Sequence, residues 1–549
     1  MSSNNLVANG GCPHMAVNQK PYHKSLAMAA CLALALLTGG VAQAALDSKG
    51  TDFWLMFNQN YYGGSALTLF ITGDTATSGT VKIPGLGFSQ AFTVAPGAVT
   101  SVVIPPGAEV DTNDVIENKG IHVTAQAEVT VYGLNRIVAT TDAFLGLPSD
   151  ILSTDYIVLG YTSVGLASEF GVVATQNATT VTITPSMTTG THLAGIPYTI
   201  SLNQGQTYQL GLVGYGLDLS GSLIASNKPV AVFGGNACTD IPLGYYYCDH
   251  VVEELPPTST WGKAFVTLPL ATRFYGDTFR ILAAKDNTQV SLNGIVVATL
   301  NKGQFHEQIV ADPSYITASQ PVLVAQYSNS TSFDGVTSDP FMTLIPPYEQ
   351  FLNKYTVTTP ASGFPINYIN VVASNADIGN VTVDGTPIPP ASFQPIVGTA
   401  FAGAQVPVAL GGHTLASVLP FGVTVYGFAE ADSYGYPGGM SLAKIATVAG
   451  LTLSPKTQIQ KVSNFPNIPT CVTATVADQN NAPVPGIRVD FTVTGVNSKQ
   501  GFAVSDTAGH AQFCYTGGCV ISGKDTITGS AGSFGDTASV QWAGNCSIR

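Results

Sequence analysis

Residues Ser168–Pro185 read SEFGVVATQNATTVTITP, and this stretch decides the fold. A run of apolar residues meets a short polar turn at Asn177 and returns as alternating V-x-I, the pattern of two antiparallel strands with one buried face. The pattern recurs as DTFRILAAKDNTQVSLNG from Asp277, NYINVVASNADIGNVTVDG from Asn367 and, more loosely, SALTLFITGDTATSGTVKIPG from Ser65. Four spaced copies of one hairpin predict an all-β protein built from tandem repeats.

Each hairpin lies between an apolar opening strand and a closing strand that follows a small-residue turn. The opening strands start at Phe53, Tyr156, Phe265 and Tyr355, and the closing strands at Val123, Ile224, Ile316 and Leu415. About six strands per copy are enough for a small two-layer β-sandwich. We therefore expect four sandwich-like units at about 45–150, 151–255, 256–345 and 346–442.

The connections between the units also repeat. Asp142, Asp249 and Asp339 each precede an apolar step that ends in proline: DAFLGLP, DHVVEELPP and DPFMTLIPP. Because proline fixes φ and removes a donor, these steps are predicted to be semi-rigid spacers. The recurrent Asp is expected to accept backbone N–H bonds at a turn, and the alternative is contact with calcium or another ligand.

The charge pattern excludes one class of partner. Apolar residues form 45% of the 549-residue chain and charged residues only 10%, with 33 acidic against 20 basic side chains and a formal net charge of −13. No cluster of Lys or Arg could neutralise a run of phosphates. We therefore expect no nucleic-acid partner.

The N-terminus has the pattern of an export signal. Lys20, His23 and Lys24 precede an apolar run over residues 26–37, and a small-residue site follows at 41–44. The run is shorter than the about 20 residues that span a bilayer, so we expect a signal peptide over 1–44, cut after Ala44, and no membrane span in the mature chain. Translation from Met1 and from Met15 both fit. A secreted or outer-surface protein is predicted, with the periplasm as the alternative.

Cysteine usage agrees with export. The mature chain keeps six cysteines: Cys238, Cys248, Cys471, Cys514, Cys519 and Cys546. An even number in an oxidising compartment predicts disulfides, and the last four allow three connectivities. Cys238, Cys248 and His250 could instead bind zinc, but export favours a Cys238–Cys248 bridge, and no metal is predicted.

Tyrosines supply the candidate ligand-binding residues. The loop closed by Cys238 and Cys248 contains Tyr245, Tyr246 and Tyr247. Three successive tyrosines of a strand cannot all face one core, so at least one is expected to be exposed, where tyrosine offers a large contact area with a polar tip. Tyr61 and Tyr62, and Tyr434 and Tyr436, stand in comparable Gly-rich stretches. Ordinary loop packing is the alternative interpretation.

No catalytic constellation is recognisable, so no catalytic residue and no cofactor are predicted. The sequence lacks H-E-x-x-H, G-x-S-x-G, a phosphate loop and C-x-x-C. A glycosidase would need two nearby carboxylates, for which the candidates are Glu253, Glu254, Glu349 and Glu430. Each is more simply a solvated loop or edge residue. Oxygen ligands for calcium could come from Asp111, Asn113, Asp114 and Glu117, but a polar turn is expected because their spacing is not that of a calcium loop.

Three blocks carry a resemblance to a known family. GTDFWLMF at 50–57, the SEFGVVAT-type hairpin and DHVVEELPP from Asp249 are similar to blocks of the IgGFc-binding protein family, and the likeness covers about 50–442. The family is named for an animal mucus protein that binds the Fc part of IgG. The resemblance thus implies extracellular binding, with IgG Fc as a named partner. The blocks themselves are core strands and turns that carry no Fc-contact residues.

The tail at 450–549 has a different character. TCVTATVADQNNAPVPGIRVDFTVTG from Thr470, then SDTAGHAQFCYTG and DTITGSAGSFGDTASVQW, resembles a bacterial Ig-like domain of the invasin/intimin kind. Such domains are mostly spacers that project a binding surface. The resemblance implies that a Cys471–Cys514 bridge would take the position of the inter-sheet disulfide of Ig domains.

The leading hypothesis is a secreted or surface-associated, adhesin-like binding protein that presents aromatic loops to an extracellular glycan or glycoprotein. A secreted carbohydrate-active hydrolase with accessory β-domains is one alternative, and a self-assembling matrix or surface-layer component is another. Two acidic side chains in one deep cleft would favour the enzyme, and exposed tyrosines on shallow surfaces would favour binding.

Overall fold

The computed structural model describes residues 46–360, 362–442, 448–461, 468–478, 481, 483–484, 487–506, 508–517, 522–531 and 534–543. The predicted signal peptide, its cleavage site and the choice between Met1 and Met15 lie outside these residues, as do Cys519 and Cys546. The described part is almost entirely strand, which confirms the all-β prediction.

Six sheets account for the strands. The first contains β1 (Gly50–Leu55), β2 (Ala66–Thr72), β3 (Thr77–Ile83), β4 (Phe88–Val94), β5 (Val99–Ile104), β7 (Ile121–Ile137) and β8 (Thr140–Leu145). The second contains β6 (Val115–Glu117), β9 (Ser153–Ile157), β10 (Ser168–Ala174), β11 (Thr179–Thr184), β12 (Tyr198–Leu202), β13 (Thr207–Leu212), β14 (Leu223–Thr239) and β15 (Asp249–Glu254).

The third and fourth sheets repeat this plan. The third contains β16 (Gly262–Thr267), β17 (Asp277–Ala283), β18 (Thr288–Leu292), β19 (Ile295–Leu300), β20 (Phe305–Val310), β21 (Ser314–Tyr327) and β22 (Met342–Ile345). The fourth contains β23 (Leu352–Thr358), β24 (Ile366–Ser374), β25 (Thr382–Val383), β26 (Thr386–Pro387), β27 (Gln394–Pro395), β28 (Phe401–Pro407), β29 (Gly412–Ala429) and β30 (Asp432–Pro437).

Helices are short connectors. The α-helical turn is Thr331–Asp334, and the 3-10 turns are Pro84–Leu86, Pro106–Ala108, Thr258–Thr260, Tyr348–Gln350 and Pro390–Ser392. Most of these turns start at or next to a proline, whose fixed φ suits a first helical position. The sheets therefore determine the architecture.

The predicted hairpin is wrong in its pairing, although its strands exist. In the second sheet β10 and β11 do not pair with each other, because β14 lies between them. The first half of β14 pairs with β11, as in Ile183↔Ile224, and the second half pairs with β10, as in Val172↔Val232. The same order holds for β3-β7-β2, β18-β21-β17 and β25-β29-β24.

One long bent strand explains this arrangement. β7, β14, β21 and β29 run for 14 to 18 residues, and the small-residue turn that the sequence indicates is a bend inside each of them. Each long strand thus crosses from one layer of a sandwich to the other. The interior side chains alternate along it: Val123, Val129 and Val131 are fully buried.

The sheets are not independent of one another. β6 lies within the predicted first unit but pairs with β13 of the second sheet, as in Ile116↔Tyr208. Beside it, Asp114 accepts hydrogen bonds from the Tyr208 hydroxyl at 2.7 Å and pairs with His192 at 3.0 Å. The polar residues weighed as calcium ligands therefore fasten one sheet to the next.

The C-terminal region folds as a separate two-sheet sandwich. One sheet contains β31 (Val448–Ser454), β33 (Ile468–Asp478) and β36 (His510–Gly517), and the other β32 (Thr457–Lys461), β34 (Arg488–Gly495), β35 (Lys499–Val504), β37 (Gly523–Ala531) and β38 (Phe534–Ala543). Leu453, Phe491 and Trp542 lie in the core between them. Cys471 and Cys514 form a disulfide but are direct partners on β33 and β36, so the bridge lies within one sheet and the expected inter-sheet position is wrong.

Candidate functional site

The inner strands of the four repeated sheets meet at one carboxylate. Asp142 on β8 is fully buried. Its Oδ2 accepts backbone N–H bonds from Val252 and Met342 at 3.0 Å, and its Oδ1 accepts one from Gly435 at 3.3 Å. Burial raises the pKa of Asp142, while these N–H bonds oppose that shift. One side chain therefore joins the first sheet to the other three.

Three more aspartates surround this point: Asp249, Asp339 and Asp432. We call these three and Asp142 the carboxyl centre. Asp249 accepts N–H bonds on Oδ1 from Thr141 at 2.6 Å and His250 at 2.7 Å, while its Oδ2 is buried without a partner. Oδ1 of Asp339 and Oδ1 of Asp432 are also buried and unpartnered.

Burial and mutual repulsion determine the pKa values of this centre. Burial raises the pKa of Asp249 well above its usual value, and the nearby charges of Asp432 and Asp339 raise it further. Burial likewise raises the pKa of Asp339 to about 8 and that of Asp432 to about 6. The sequence predicted that the recurrent Asp accepts backbone N–H bonds at a turn, and Asp142 and Asp249 do accept such bonds, but from buried strands; Asp432 was not among the predicted residues.

Loops from three sheets expose aromatic side chains at this same end. They form what we call the aromatic face: Tyr61, Tyr62, Tyr245, Tyr246, Tyr247, Phe274, Tyr275 and Phe333. Tyr62, Tyr246 and Tyr275 expose 74%, 75% and 74% of their surface, respectively. The expectation that at least one of the three consecutive tyrosines is exposed agrees with this placement.

The disulfide loop carries the centre of the face. Cys238 and Cys248 are bridged, with their Cα atoms 5.2 Å apart. The Tyr245 ring packs edge-on against Phe333 at 5.0 Å, and Tyr275 packs against the other side of Phe333 at 6.4 Å. Phe274, Tyr275 and Phe333 come from the third sheet, and sequence reasoning missed them because isolated aromatics carry no pattern. The only signal was the bulky pair Phe274-Tyr275 before a glycine.

Backbone bonds hold this part of the face in place. Ser330 donates its N–H to the carbonyl of Ile241 at 2.6 Å, and Ile241 donates back to Ser330 Oγ at 2.9 Å. Arg273 and Asp334 form a buried ion pair at 2.8 Å, and Asp334 also accepts the N–H of Phe274 at 2.9 Å. The aromatic loops are therefore anchored by buried polar groups.

The Tyr61–Tyr62 loop is anchored in the same manner. The buried carboxylate of Glu109 accepts N–H bonds from Asn60 and Gly64, both at 2.9 Å, so it holds the two ends of the turn. Tyr61 donates its N–H to the carbonyl of Ala237, next to the bridged Cys238. The first-sheet loop thus lies beside the base of the disulfide loop.

Tyr434 and Tyr436 do not belong to the face. Both lie in β30 and are buried, so the expectation of exposed loop residues is wrong for them. The Tyr434 hydroxyl donates to Asn367 Oδ1 at 2.8 Å and the Tyr436 hydroxyl to the carbonyl of Thr358. β30 is enclosed on both faces because it belongs to the meeting point of the inner strands.

Two carboxylates expected in solvent are buried as well. Glu253 and Glu254 lie in β15 and are almost completely enclosed. Glu253 accepts the N–H of Leu344 at 3.2 Å and Glu254 that of Leu147 at 2.8 Å, so each binds a neighbouring sheet. His250 is also enclosed, and burial lowers its pKa to about 4, so it is neutral. Glu430 is exposed as expected.

A separate cavity of about 600 Å³ lies between the third and fourth sheets and the C-terminal sandwich. Aromatic residues such as Phe265, Tyr348 and Phe401 line it together with Glu349 and Asp490. Burial raises the pKa of Glu349 to about 7, contrary to the expectation of a solvated residue. Two carboxyl groups therefore line one cavity.

Neither a metal-binding group nor a membrane-spanning helix is found within the described ranges. No group of three or more His, Cys, Asp or Glu side chains has an arrangement that could hold a metal ion. Among the same residues, no helix combines the length and the apolar character needed to span a bilayer.

Known proteins resemble this chain over the repeated sheets. A family model described as IgGFc binding protein matches residues 142–427. The human (Homo sapiens) IgGFc-binding protein is 28% identical over 420 residues, which are 73% of this chain and only 8% of that protein.

The similarity to solved structures is low. A tetra-tandem repeat from the extending region of a large adhesion protein has a TM-score of 0.13 at 13% identity, covering 72% of this chain and 99% of that one. An S-layer protein has a TM-score of 0.14 at 10% identity, covering 90% and 55%. The family model spans more than half of the chain, from within β8 of the first sheet to near the end of β29 in the fourth sheet. The chain belongs to the IgGFc-binding protein family.

Proposed function

We propose that this protein is exported and binds an extracellular glycan or glycoprotein through the aromatic face. The observation that supports this is the exposure, at one end of the molecule, of aromatic side chains from three sheets on loops anchored by buried polar groups. Rigid exposed tyrosines lose little entropy on binding, and their rings and hydroxyls suit sugar rings. The predicted signal peptide and the two disulfides agree with export.

Backbone conformation supports a role beyond loop packing. Tyr61, Tyr247 and Tyr275 have φ values of 50°, 82° and 69°, in the left-handed region that favours glycine. Holding a bulky residue there costs about 1–3 kcal/mol, and such residues cluster at binding sites. Loops without a function would be expected to replace them with glycine or asparagine.

The negative charge of the protein favours an uncharged ligand. The chain carries a net charge of −13, and Arg273, the cation beside the face, is neutralised by Asp334. A sulfated or sialylated glycan would be repelled by this field, whereas a neutral glycan needs no countercharge. The C-terminal sandwich would act as a spacer or docking domain of the bacterial Ig-like kind.

The test is a glycan array probed with the chain from residue 45 onward. The variant Y245A/Y246A/Y247A should lose at least tenfold in affinity for neutral glycans. Tyr215→Ala, which removes a 70% exposed tyrosine outside the face, should bind as the parent does. Equal binding by parent and triple variant would refute the aromatic face as the site. Binding of IgG Fc, the ligand in the relative's name, is measured with the same parent and triple variant.

The cavity beside Glu349 favours a second candidate, a carbohydrate-active hydrolase. Glu349, whose pKa is raised by burial, would donate a proton, and Asp490 would be the second of the two carboxyl groups that a glycosidase needs. The family is named for binding, which favours the first function. Hydrolysis of neutral oligosaccharides that disappears in Glu349→Gln would establish the enzyme.

A further inference from the structure

The carboxyl centre contains more acid than its surroundings can neutralise. Asp249 Oδ2, Asp339 Oδ1 and Asp432 Oδ1 come from three different sheets, and all three atoms are buried without a partner. The hydrogen bonds that these side chains accept, such as those on Asp249 Oδ1, leave one oxygen of each unsatisfied, and a buried ionised carboxylate in that state is disfavoured. The folded state must therefore bind either protons or a cation there.

The two cations near the centre supply only part of that charge. Arg136 faces Asp432, and Arg273 faces Asp339. The guanidinium of Arg273, however, already bonds Asp334. A metal ion would need converging ligands, and no group of three carboxylates among the described residues has that arrangement. Protons remain.

We propose that the carboxyl centre is a proton-dependent lock, in which Asp249, Asp339 and Asp432 are held by protons in the folded state and their ionisation loosens the loops above them. Two connections lead from the lock to the aromatic face. Asp249 binds Thr141 N–H, and the neighbouring Thr140 hydroxyl donates to Asn60 at 2.9 Å, in the turn that carries Tyr61.

The second connection leads to Phe333. Asp339 accepts the N–H of Thr331, the first residue of the helical turn that contains Phe333. Ser433, next to Asp432, donates its hydroxyl to the carbonyl of Asp339 at 2.6 Å. The lock concerns loop order alone, and only its effect on ligand affinity rests on the proposed function.

Among the titratable groups around the centre, Glu253 faces Asp142, and burial raises the pKa of both. Asp142 and Asp240 add negative charge, Arg136 and Arg273 oppose it, and His250 is neutral. Asp277 and Asp334 lie on the far side of Arg273 and reduce its effect.

The sign of the pH dependence follows from linkage. Because the pKa of Asp432 rises from 3.8 to about 6 and that of Asp339 to about 8, the folded state binds more protons than the unfolded state between these values. The stabilising protons are all present below about pH 4 and are lost as the pH rises through 6 and 8. Two pKa units correspond to about a hundredfold change in the folding equilibrium.

The test compares thermal unfolding of the whole chain from pH 4 to pH 9 for the parent, Asp339→Asn and Asp432→Asn. Asparagine mimics the protonated acid, so each variant should melt at a higher temperature than the parent at pH 9 and should lose part of the decline with pH. Asp312→Asn, an exposed aspartate that also precedes a proline, should follow the parent. Variants that melt lower than the parent at every pH would show that the ionised carboxylates stabilise the fold and would overturn the lock.

Three further measurements need no variant. Infrared spectra of the parent at pH 7 should show a protonated carboxyl band that disappears on unfolding, and its absence would overturn the proposal. Calcium that raises the melting temperature at pH 9, reversed by EDTA, would assign the centre to a cation instead. Amide exchange at residues 331–334 and 60–64 should accelerate between pH 5 and pH 9, after correction for intrinsic rates, even if no glycan binds.

Discussion

Arg280 joins the second and third sheets, and its replacement by methionine should separate them locally. The guanidinium donates to Asp218 Oδ2, to the carbonyl of Gly160 and to Glu307 Oε2, each at 2.8 Å. It lies over the Tyr161 ring at 3.9 Å, and its side chain is 2% exposed. Methionine preserves much of the apolar stem but leaves the Asp218 carboxylate without its cation.

The magnitude follows from the charge left behind. Breaking one side of a buried ion pair typically costs about 3–5 kcal/mol, because the remaining charge is uncompensated. Arg280 also lowers the pKa of Asp218 against the opposing effect of burial, so in the variant that pKa should rise and Asp218 should take up a proton near neutral pH. The loss should therefore be smaller at pH 5 than at pH 8.

Native-state hydrogen exchange read by mass spectrometry is the suitable assay, because a chain of several sheets need not unfold in one step. Peptides that cover β17 and residues 158–163 should lose about 3–5 kcal/mol of protection, while the C-terminal sandwich should keep its own. The double variant R280M/D218N should recover part of the loss, since it removes the orphaned charge. Lys302→Met, an exposed cation of the third sheet, is the control. A loss below about 1 kcal/mol, or additive effects of the two changes, would refute this reasoning.

Two other substitutions test the site. Replacing Cys238 and Cys248 by serine should destabilise the intervening loop by about 2–3 kcal/mol, measured as faster chymotrypsin cleavage after its tyrosines, while the C-terminal sandwich is unaffected. Asp142→Ala should lower the melting temperature at all pH values, because backbone N–H groups in the other three sheets lose their acceptor. Each buried N–H group left without an acceptor destabilises the fold by about 1–3 kcal/mol. Asp142→Asn keeps an acceptor oxygen and should lose less, and equal melting of both variants would contradict this role.

Strand positions were predictable here and strand pairing was not. The V-x-I alternation at Val181–Ile183 reports a half-buried strand whichever neighbour it pairs with. Pairing depends on β14, which begins 44 residues after β11 starts at Thr179 and bends between two layers. A polar turn between two strands is compatible with a hairpin and with a corner between layers, so local sequence could not separate them.

The buried carboxyl groups were unpredictable for a related reason. Asp142 bonds residues 110, 200 and 293 positions away in the chain, and no local pattern shows such partners. Acidic residues are normally solvated, so Glu253 and Glu254 were predicted to face water. The recurrence of Asp before each proline step was a real signal, since a residue repeated across units at one structural position has one structural role.

The tyrosines show where composition is informative about exposure. In a strand, residues two apart share a face, so Tyr434 and Tyr436 need only one enclosed side to be buried together, and β30 encloses both sides. Tyr245, Tyr246 and Tyr247 violate this period, since three consecutive rings cannot enter one core from a strand. The loop between the bridged cysteines has to expose at least one of them. Three consecutive tyrosines in a short loop therefore predict an exposed ring, whereas two aromatics that are two positions apart in a strand do not.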